Sequence, residues 1–247
     1  MSAQEQSGIQ AIGYIPMTGA DMPAGGTDVG LPPSQTRPAE GSALKGVAPV
    51  APVLAAPSPA APPAPHVGRS VRLGQGAYVS PLASVLGDVS LGQEVFVAPG
   101  ASIRGDTGAR IRIGDGSNVQ DGVVIHAMEG RPLVVGGQPY AVYVGNHVSL
   151  AHQAFLHGPV SIGDGAFVGF RAMVVNSTIG RGCVVWHGAF VSDVEIPEGR
   201  LVPAGAIVDT LERARSLALV PAQIKEFAAQ VIRTNRRYAQ EYRTERR

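Results

Sequence analysis

Residues 67–103 read Val67-Gly-Arg-Ser-Val-Arg-Leu73-Gly-Gln-Gly-Ala-Tyr-Val79-Ser-Pro-Leu-Ala-Ser-Val85-Leu-Gly-Asp-Val-Ser-Leu91-Gly-Gln-Glu-Val-Phe-Val97-Ala-Pro-Gly-Ala-Ser-Ile103. An aliphatic residue falls on every sixth position. Amphipathic helices repeat near 3.6 residues and half-buried strands near 2, so neither explains a period of six. A triangular coil does: each hexapeptide is one face, its aliphatic points inward, and glycine permits the tight backbone at a corner. Three hexapeptides then make a coil of 18 residues.

The beat continues outward from this stretch. After a four-residue insertion it resumes at Ile113, Val119 and Ile125. After a longer one it runs through Val144, Leu150, Leu156, Ile162, Val168 and Val174, then slips by one to Ile179, Val185 and Val191. Residues 66–210 are therefore expected to form an all-β, parallel β-helix. Coils of this hexapeptide kind wind left-handed, against the general crossover rule. Residues 1–65 carry 12 of the 20 prolines and are rich in Ala and Gly. They read as a disordered tail that cannot close a core. Its apolar cluster Ile-Gln-Ala-Ile-Gly-Tyr-Ile-Pro-Met (9–17) is either chance composition or a short docking motif. Residues 211–247 are expected to be a C-terminal helix of the same domain, packed along the prism. Ile224, Phe227, Ala228, Val231, Ile232, Asn235, Tyr238 and Tyr242 follow helical spacing, and Asn235 is a polar residue on an apolar stripe. Arg233, Arg236, Arg237, Arg243, Arg246 and Arg247 read as a solvated face.

The formal net charge of +1 gives no global field toward nucleic acid. The N-terminus lacks a basic, then apolar, leader, and no apolar run is long enough to span a bilayer. Cys183 is the one cysteine, so an intrachain disulfide is excluded. These features lead to an expectation of a cytoplasmic protein.

The register also places histidines. His126 follows the inward Ile125 by one residue, and His157 follows the inward Leu156 by one. Val144, Leu150 and Leu156 are three steps, or one coil, provided the extra residues after 125 bulge out as a loop. The two imidazoles are thus expected one above the other on one face, about 4.8 Å apart. That spacing suits a shared metal at Zn–N distances of about 2.0–2.1 Å. His152 stands one hexapeptide earlier and on the second position, so it is expected on another side of the prism. In a threefold trimer of parallel prisms, one face of each subunit meets a different face of its neighbour. The register therefore predicts a metal site between subunits, with His126 and His157 from one chain and His152 from the next. Three imidazoles leave a fourth position open, the catalytic rather than the structural zinc pattern. His66, His147 and His187 read as corner or surface residues.

At these residues the sequence resembles the γ-class carbonic anhydrase family, over roughly residues 66–240. The strings that carry the resemblance are Ser-Ile-Arg-Gly-Asp (102–106), Asn-Val-Gln-Asp-Gly-Val-Val-Ile-His-Ala-Met-Glu (118–129), Tyr-Ala-Val-Tyr-Val-Gly-Asn-His-Val-Ser-Leu-Ala-His-Gln (140–153) and Leu-His-Gly-Pro (156–159). Gly-Phe-Arg (169–171) and residues 227–235 are similar to the branch that forms the N-terminal domain of the carboxysome assembly protein CcmM. The resemblance implies a homotrimer that binds Zn(2+), or Fe(2+) or Co(2+), through His126, His152 and His157. It implies reversible hydration of CO2 to bicarbonate, with Gln120 beside the metal-bound solvent, Asn118 as its neighbour and Asn235 on the helix as active-site residues. It further implies an intersubunit ion pair of Arg104 with Asp106, and Glu129 as a proton acceptor. Two departures stand out: Thr107 replaces an acidic residue, and the loop after Glu129 is short and nearly uncharged. The lone Cys183 also leaves no pair for a disulfide switch. A weakly active or inactive scaffold of a carboxysome or related microcompartment, with shell partners held through the N-terminal tail, is the alternative. A hexapeptide acyltransferase is a further one.

Overall fold

In the computed structural model, which describes residues 66–244, the chain winds into a parallel β-solenoid with helices along one side. Three parallel sheets form the faces of the prism. The first face stacks Val67, Val85, Ile103, Ile125, Leu156, Val174, Val191 and Val208 in one inward column. From Val85 to Val191 every member of that column is fully buried. Removing such an aliphatic side chain from water contributes about 1.5–3 kcal/mol, so the repeated column is what closes the fold. The second face places Leu91, Ile113, Val144, Ile162, Ile179 and Ile196 inward, and the third Val97, Val119, Leu150, Val168, Val185 and Val202. The one-residue slip after Val174 is taken up at the corner leading off the first face. There Asn176 and Asp193 adopt left-handed backbone (φ 44° and 58°), and the Asn176 amide donates to Asp193 Oδ1 at 2.6 Å.

Two expectations are corrected. The segment taken as a plain loop after Glu129 is a β-hairpin: Leu133 pairs with Tyr140 and Val135 with Gln138 in antiparallel register. Gly136 and Gly137 turn it at φ 56° and 76°, the positive pair that a two-residue hairpin of matching twist needs. The single helix over 211–247 is two helices, α1 (Leu211–Ser216) and α2 (Ala222–Thr244). Thr210 caps α1 by accepting from the Arg213 N–H at 3.3 Å. Pro221 cannot donate a backbone hydrogen bond; its carbonyl instead accepts from Ile224 and Lys225 and opens α2.

Helix α2 lies over the outer side of the third face. Phe227 meets Phe167 and Trp186 there, each at 5.7 Å between ring centroids, and Tyr238 meets Phe96 at 6.3 Å. The basic face of α2 is laced with ion pairs. Arg233 pairs with Glu226 and Arg237 with Glu241, while Arg236 reaches across to Glu94 on the prism. Cys183 is buried, and that burial pushes its thiol pKa up. Among the described residues no helix is long and apolar enough to cross a membrane. The tail 1–65, its cluster at 9–17, and Arg246 and Arg247 lie outside the described residues.

Candidate active site on the histidine face

The first face carries the candidate ligands. Ile125 pairs with Leu156 and His126 with His157 in parallel register. Because both inward neighbours point into the core, both histidines point out, and their rings stand edge to face with centroids 5.7 Å apart. The His157 ring also lies flat on Phe155, 6.0 Å away at 13°. Gly158 closes this rung tightly: a Cβ there would meet the Ala141 carbonyl oxygen at 2.2 Å and the Ala127 methyl at 2.8 Å.

One rung below, Arg104 and Asp106 crowd His126. The Arg104 Nη2 and the Asp106 Oδ1 each lie 3.0 Å from His126 Nε2, and Arg104 Nε donates to Asp106 Oδ2 at 3.2 Å. A single ring nitrogen either accepts from the guanidinium or donates to the carboxylate, so the two contacts belong to different protonation forms. For Asp106, burial pushes the carboxyl pKa up, but hydrogen bonds from His126 and Arg104 outweigh it and hold it below the ordinary value. Within this chain the two residues pair with each other.

His152 is not on a face. It occupies the corner turn between strand Ser149–Leu150 of the third face and strand Phe155–Gly158 of the histidine face. A residue two positions past an inward aliphatic sits at that corner, and Asp121, His152, Phe170 and His187 stack there on successive rungs. His152 Nδ1 lies 3.0 Å from Asp121 Oδ2. Its ring meets Phe170 at 5.3 Å, and Phe170 lies parallel to His187 at 4.2 Å and 9°. The Phe170 N–H donates to His187 Nδ1 at 3.0 Å, and burial holds His187 below the ordinary histidine pKa. The structure thus brings His126 and His157 together and leaves His152 apart. Among the described residues, no group of three His, Cys, Asp or Glu side chains is placed to hold a metal.

Asn118 and Gln120 lie on the rung of His126 and Ser149 on the rung of His157, on the face that α2 covers. Gln120 Nε2 donates to Asn118 Oδ1 at 3.0 Å, and Asn118 Nδ2 donates to Ser149 Oγ at 2.8 Å. All three side chains are buried. Along the outer side of the third face the order is Phe96, Asn118, Ser149, Phe167, so a polar seam divides two aromatic clusters. Asn235 falls between Phe227 and Tyr238 on α2; it is buried and donates Nδ2 to the Val231 carbonyl at 2.9 Å. Glu129 is exposed at the foot of the hairpin. The Thr107 hydroxyl is buried without a hydrogen-bond partner.

Sequence reasoning read His187 as a corner or surface residue, and it does stand at a corner, but it gave Asp121 and Phe170 no part in the site, although the offset of two residues from Val119, Leu150, Val168 and Val185 signals their shared column. It also passed over strain. In that corner, Gly100, Gly122, Gly188 and Gly205 take the left-handed turn position, but Gln153 (φ 61°) and Arg171 (φ 55°) take it beside His152. Arg171 Nε donates to Gln153 Oε1 at 2.9 Å.

No family model matches the chain. The carboxysome assembly protein CcmM of Nostoc sp. is 42% identical over 186 residues, covering 74% of this chain and 33% of that protein. CcmM of Synechococcus elongatus is 43% identical over 179 residues, covering 71% and 33%. The carbonic anhydrase of Methanosarcina thermophila is 45% identical over 151 residues, covering 57% of this chain and 61% of that enzyme. The chain is a homologue of CcmM and of the archaeal carbonic anhydrase. These are the proteins of the γ-class family that its sequence strings resemble. The chain spans about a third of the length of these CcmM proteins. Among solved structures, a hexapeptide transferase family protein from Anaplasma phagocytophilum superposes with a TM-score of 0.58 at 21% identity, over 70% of this chain and 92% of that one. That likeness shows the fold alone.

Proposed function

We propose that the chain is a metal-dependent carbonic anhydrase that hydrates CO2 reversibly at sites formed between the subunits of a homotrimer. The observation that carries this reading is the His126–His157 pair, two outward imidazoles on adjacent rungs of one face. The donor set fits the metal: imidazoles suit zinc and iron, and His152 sits at the neighbouring corner, where another copy of the prism can bring it to the pair. His126, His157 and the neighbour's equivalent of His152 would hold Zn(2+), with Fe(2+) or Co(2+) as substitutes. Bound there, the ion supplies the Lewis acidity that makes water nucleophilic near neutral pH, an effect for which carbonic anhydrase is itself the standard example.

The chain's own groups do the rest. The relay from Gln120 to Asn118 to Ser149 fixes both amides, so Gln120 presents its carbonyl oxygen as an acceptor that orients the attacking water. Asn235 adds an amide oxygen from α2, its NH2 group held by Val231. Hydration of CO2 yields bicarbonate and one proton. The exposed Glu129 takes that proton and passes it to buffer. Thr107, where a carboxylate would otherwise stand, leaves proton release more dependent on Glu129. In the trimer Arg104 and Asp106 pair across the interface, which frees His126 Nε2 from both.

The test is stopped-flow CO2 hydration on protein loaded anaerobically with zinc or iron. Chelation should abolish activity and metal should restore it. Fully metallated protein with no rate above background refutes the enzymatic reading. One observation favours a second reading: CcmM proteins are 42–43% identical over 71–74% of the chain. In it the trimer is a weakly active or inactive scaffold inside a cytoplasmic carboxysome, with shell partners held through residues 1–65. Inactive metallated protein that still retains a purified shell protein supports it.

A further inference from the structure

We infer that Asp121 is a positioning residue that sets the His152 imidazole in its Nδ1–H form and so presents Nε2 as the ligand atom; this rests on the metal site proposed above. The Nδ1 to Oδ2 distance is 3.0 Å. An ionised carboxylate has no proton to give, so the ring nitrogen must be the donor and its proton must be on Nδ1. The lone pair is then on Nε2, at the far side of the ring from Asp121. A metal-binding imidazole commonly donates its other N–H to a carboxylate, which fixes tautomer and orientation together.

The histidines differ in this respect. His126 meets its carboxylate, Asp106, through Nε2. His157 lies against two rings, those of Phe155 and His126. His152 is braced from both sides along the corner column, by Asp121 on the rung below and Phe170 on the rung above. Phe170 is itself held by its N–H bond to His187 Nδ1 and by the parallel His187 ring. The ligand contributed to the neighbour is therefore oriented before the subunits meet. The pair is open to solvent, with side-chain exposures of 54% for His152 and 56% for Asp121. Exposed pairs of this kind add little to stability, so removing the carboxylate leaves the fold in place and isolates its effect on the ring.

The experiment uses the metal-free, 15N-labelled full chain at about pH 8, where an ordinary imidazole is neutral. Two-bond 1H–15N correlations read the His152 tautomer, with His152→Gln to assign the signal. Wild type should show Nδ1–H, and Asp121→Ala should move the ring toward the Nε2–H form. In parallel, zinc affinity measured by competition with a chromophoric chelator should fall about 10–100-fold in Asp121→Ala. Asp121→Glu should recover part of it, with unchanged unfolding midpoints throughout. A wild-type His152 in the Nε2–H form, or an affinity that does not change in Asp121→Ala, overturns the inference. A wild type that binds no zinc overturns the metal reading and with it the ligand role; the tautomer measurement, made without metal, tells that failure apart from a wrong assignment to Asp121.

Discussion

The proposed interface site makes a quantitative prediction for mixed trimers. His126 and His157 share one face of one chain, while His152 stands at a separate corner and donates toward Asp121. If each site takes the pair from one subunit and His152 from the next, then His152→Ala and His157→Ala homotrimers each lack a ligand at every site. Their mixture does not. A complete site forms wherever a His152→Ala chain, whose pair is intact, is followed by a His157→Ala chain, whose corner is intact. Random assembly of equal amounts in a ring puts that order at about one quarter of the sites, or about 0.75 zinc per trimer. The assay is co-refolding or co-expression of the two variants, extensive dialysis against a weak chelator, and metal analysis of the trimer peak. Each parent should hold almost no zinc, and CO2 hydration should reappear in the mixture in proportion to bound metal. Mixed trimers that hold no more zinc than their parents refute the shared site. So does a His152→Ala homotrimer with full stoichiometry, since the metal would then need nothing from the corner.

Three further outcomes follow from contacts away from the histidines. Phe167 is buried and joins Trp186 and Phe227, so Phe167→Ala should cost about 3–5 kcal/mol in urea denaturation and shift the Trp186 fluorescence; a cost below about 1 kcal/mol would show that α2 does not depend on this cluster. Arg171 carries left-handed backbone at φ 55° for one exposed hydrogen bond to Gln153. Arg171→Gly should therefore raise stability by about 0.5–1 kcal/mol, and a clear loss would mean that the side chain is held by more than Gln153. For Asp88, burial pushes the carboxyl up, but hydrogen bonds from Arg72 and Arg110 outweigh it and leave the pKa below the ordinary value. Its contribution is then fully present above the ordinary carboxylate pKa and is lost as pH falls through the depressed one. The unfolding midpoints of wild type and Asp88→Asn should differ near neutrality and converge in acid; a gap that stays constant with pH contradicts that sign.

Much of the fold is legible because one constraint repeats. An aliphatic every six residues leaves few choices about which side chains face inward, and Ile125 and Leu156 place His126 beside His157 by counting alone. Counting weakens where the beat stops. Leu133-Val-Val-Gly-Gly-Gln138 has no hexapeptide in it; its signal is a local turn, two glycines between extended residues, and the coil's period hides it. The apolar stripe of α2 is visible from Ile224 onward, whereas α1 is short and has one buried residue, Ala214, so its separation by Pro221 leaves little trace in periodicity.

The corner is the more instructive case. A repeat specifies a residue's height and side but not its direction. On a face, the alternation of the strand supplies the direction, since the neighbour of an inward residue must point out. At a corner the backbone turns and no such alternation holds, so a side chain there meets the rungs above and below it along the prism axis. That is why the register could separate His152 from the pair yet assign it to another face, and why its bracing by Asp121 and Phe170 depends on turn geometry. The same reasoning explains the strained neighbours. Glycine fills the left-handed corner position on the rungs of Gly100, Gly122, Gly188 and Gly205; among the described residues of that column, Gln153 and Arg171 take the same positive φ without being glycine, on the two rungs that carry His152 and Phe170. Strain of this kind persists where a side chain does something glycine cannot; Glu94 and His147 carry it at another corner as well, so it is the coincidence with the bracing of His152 by Asp121 and Phe170, and not the strain alone, that ties this column to the proposed site.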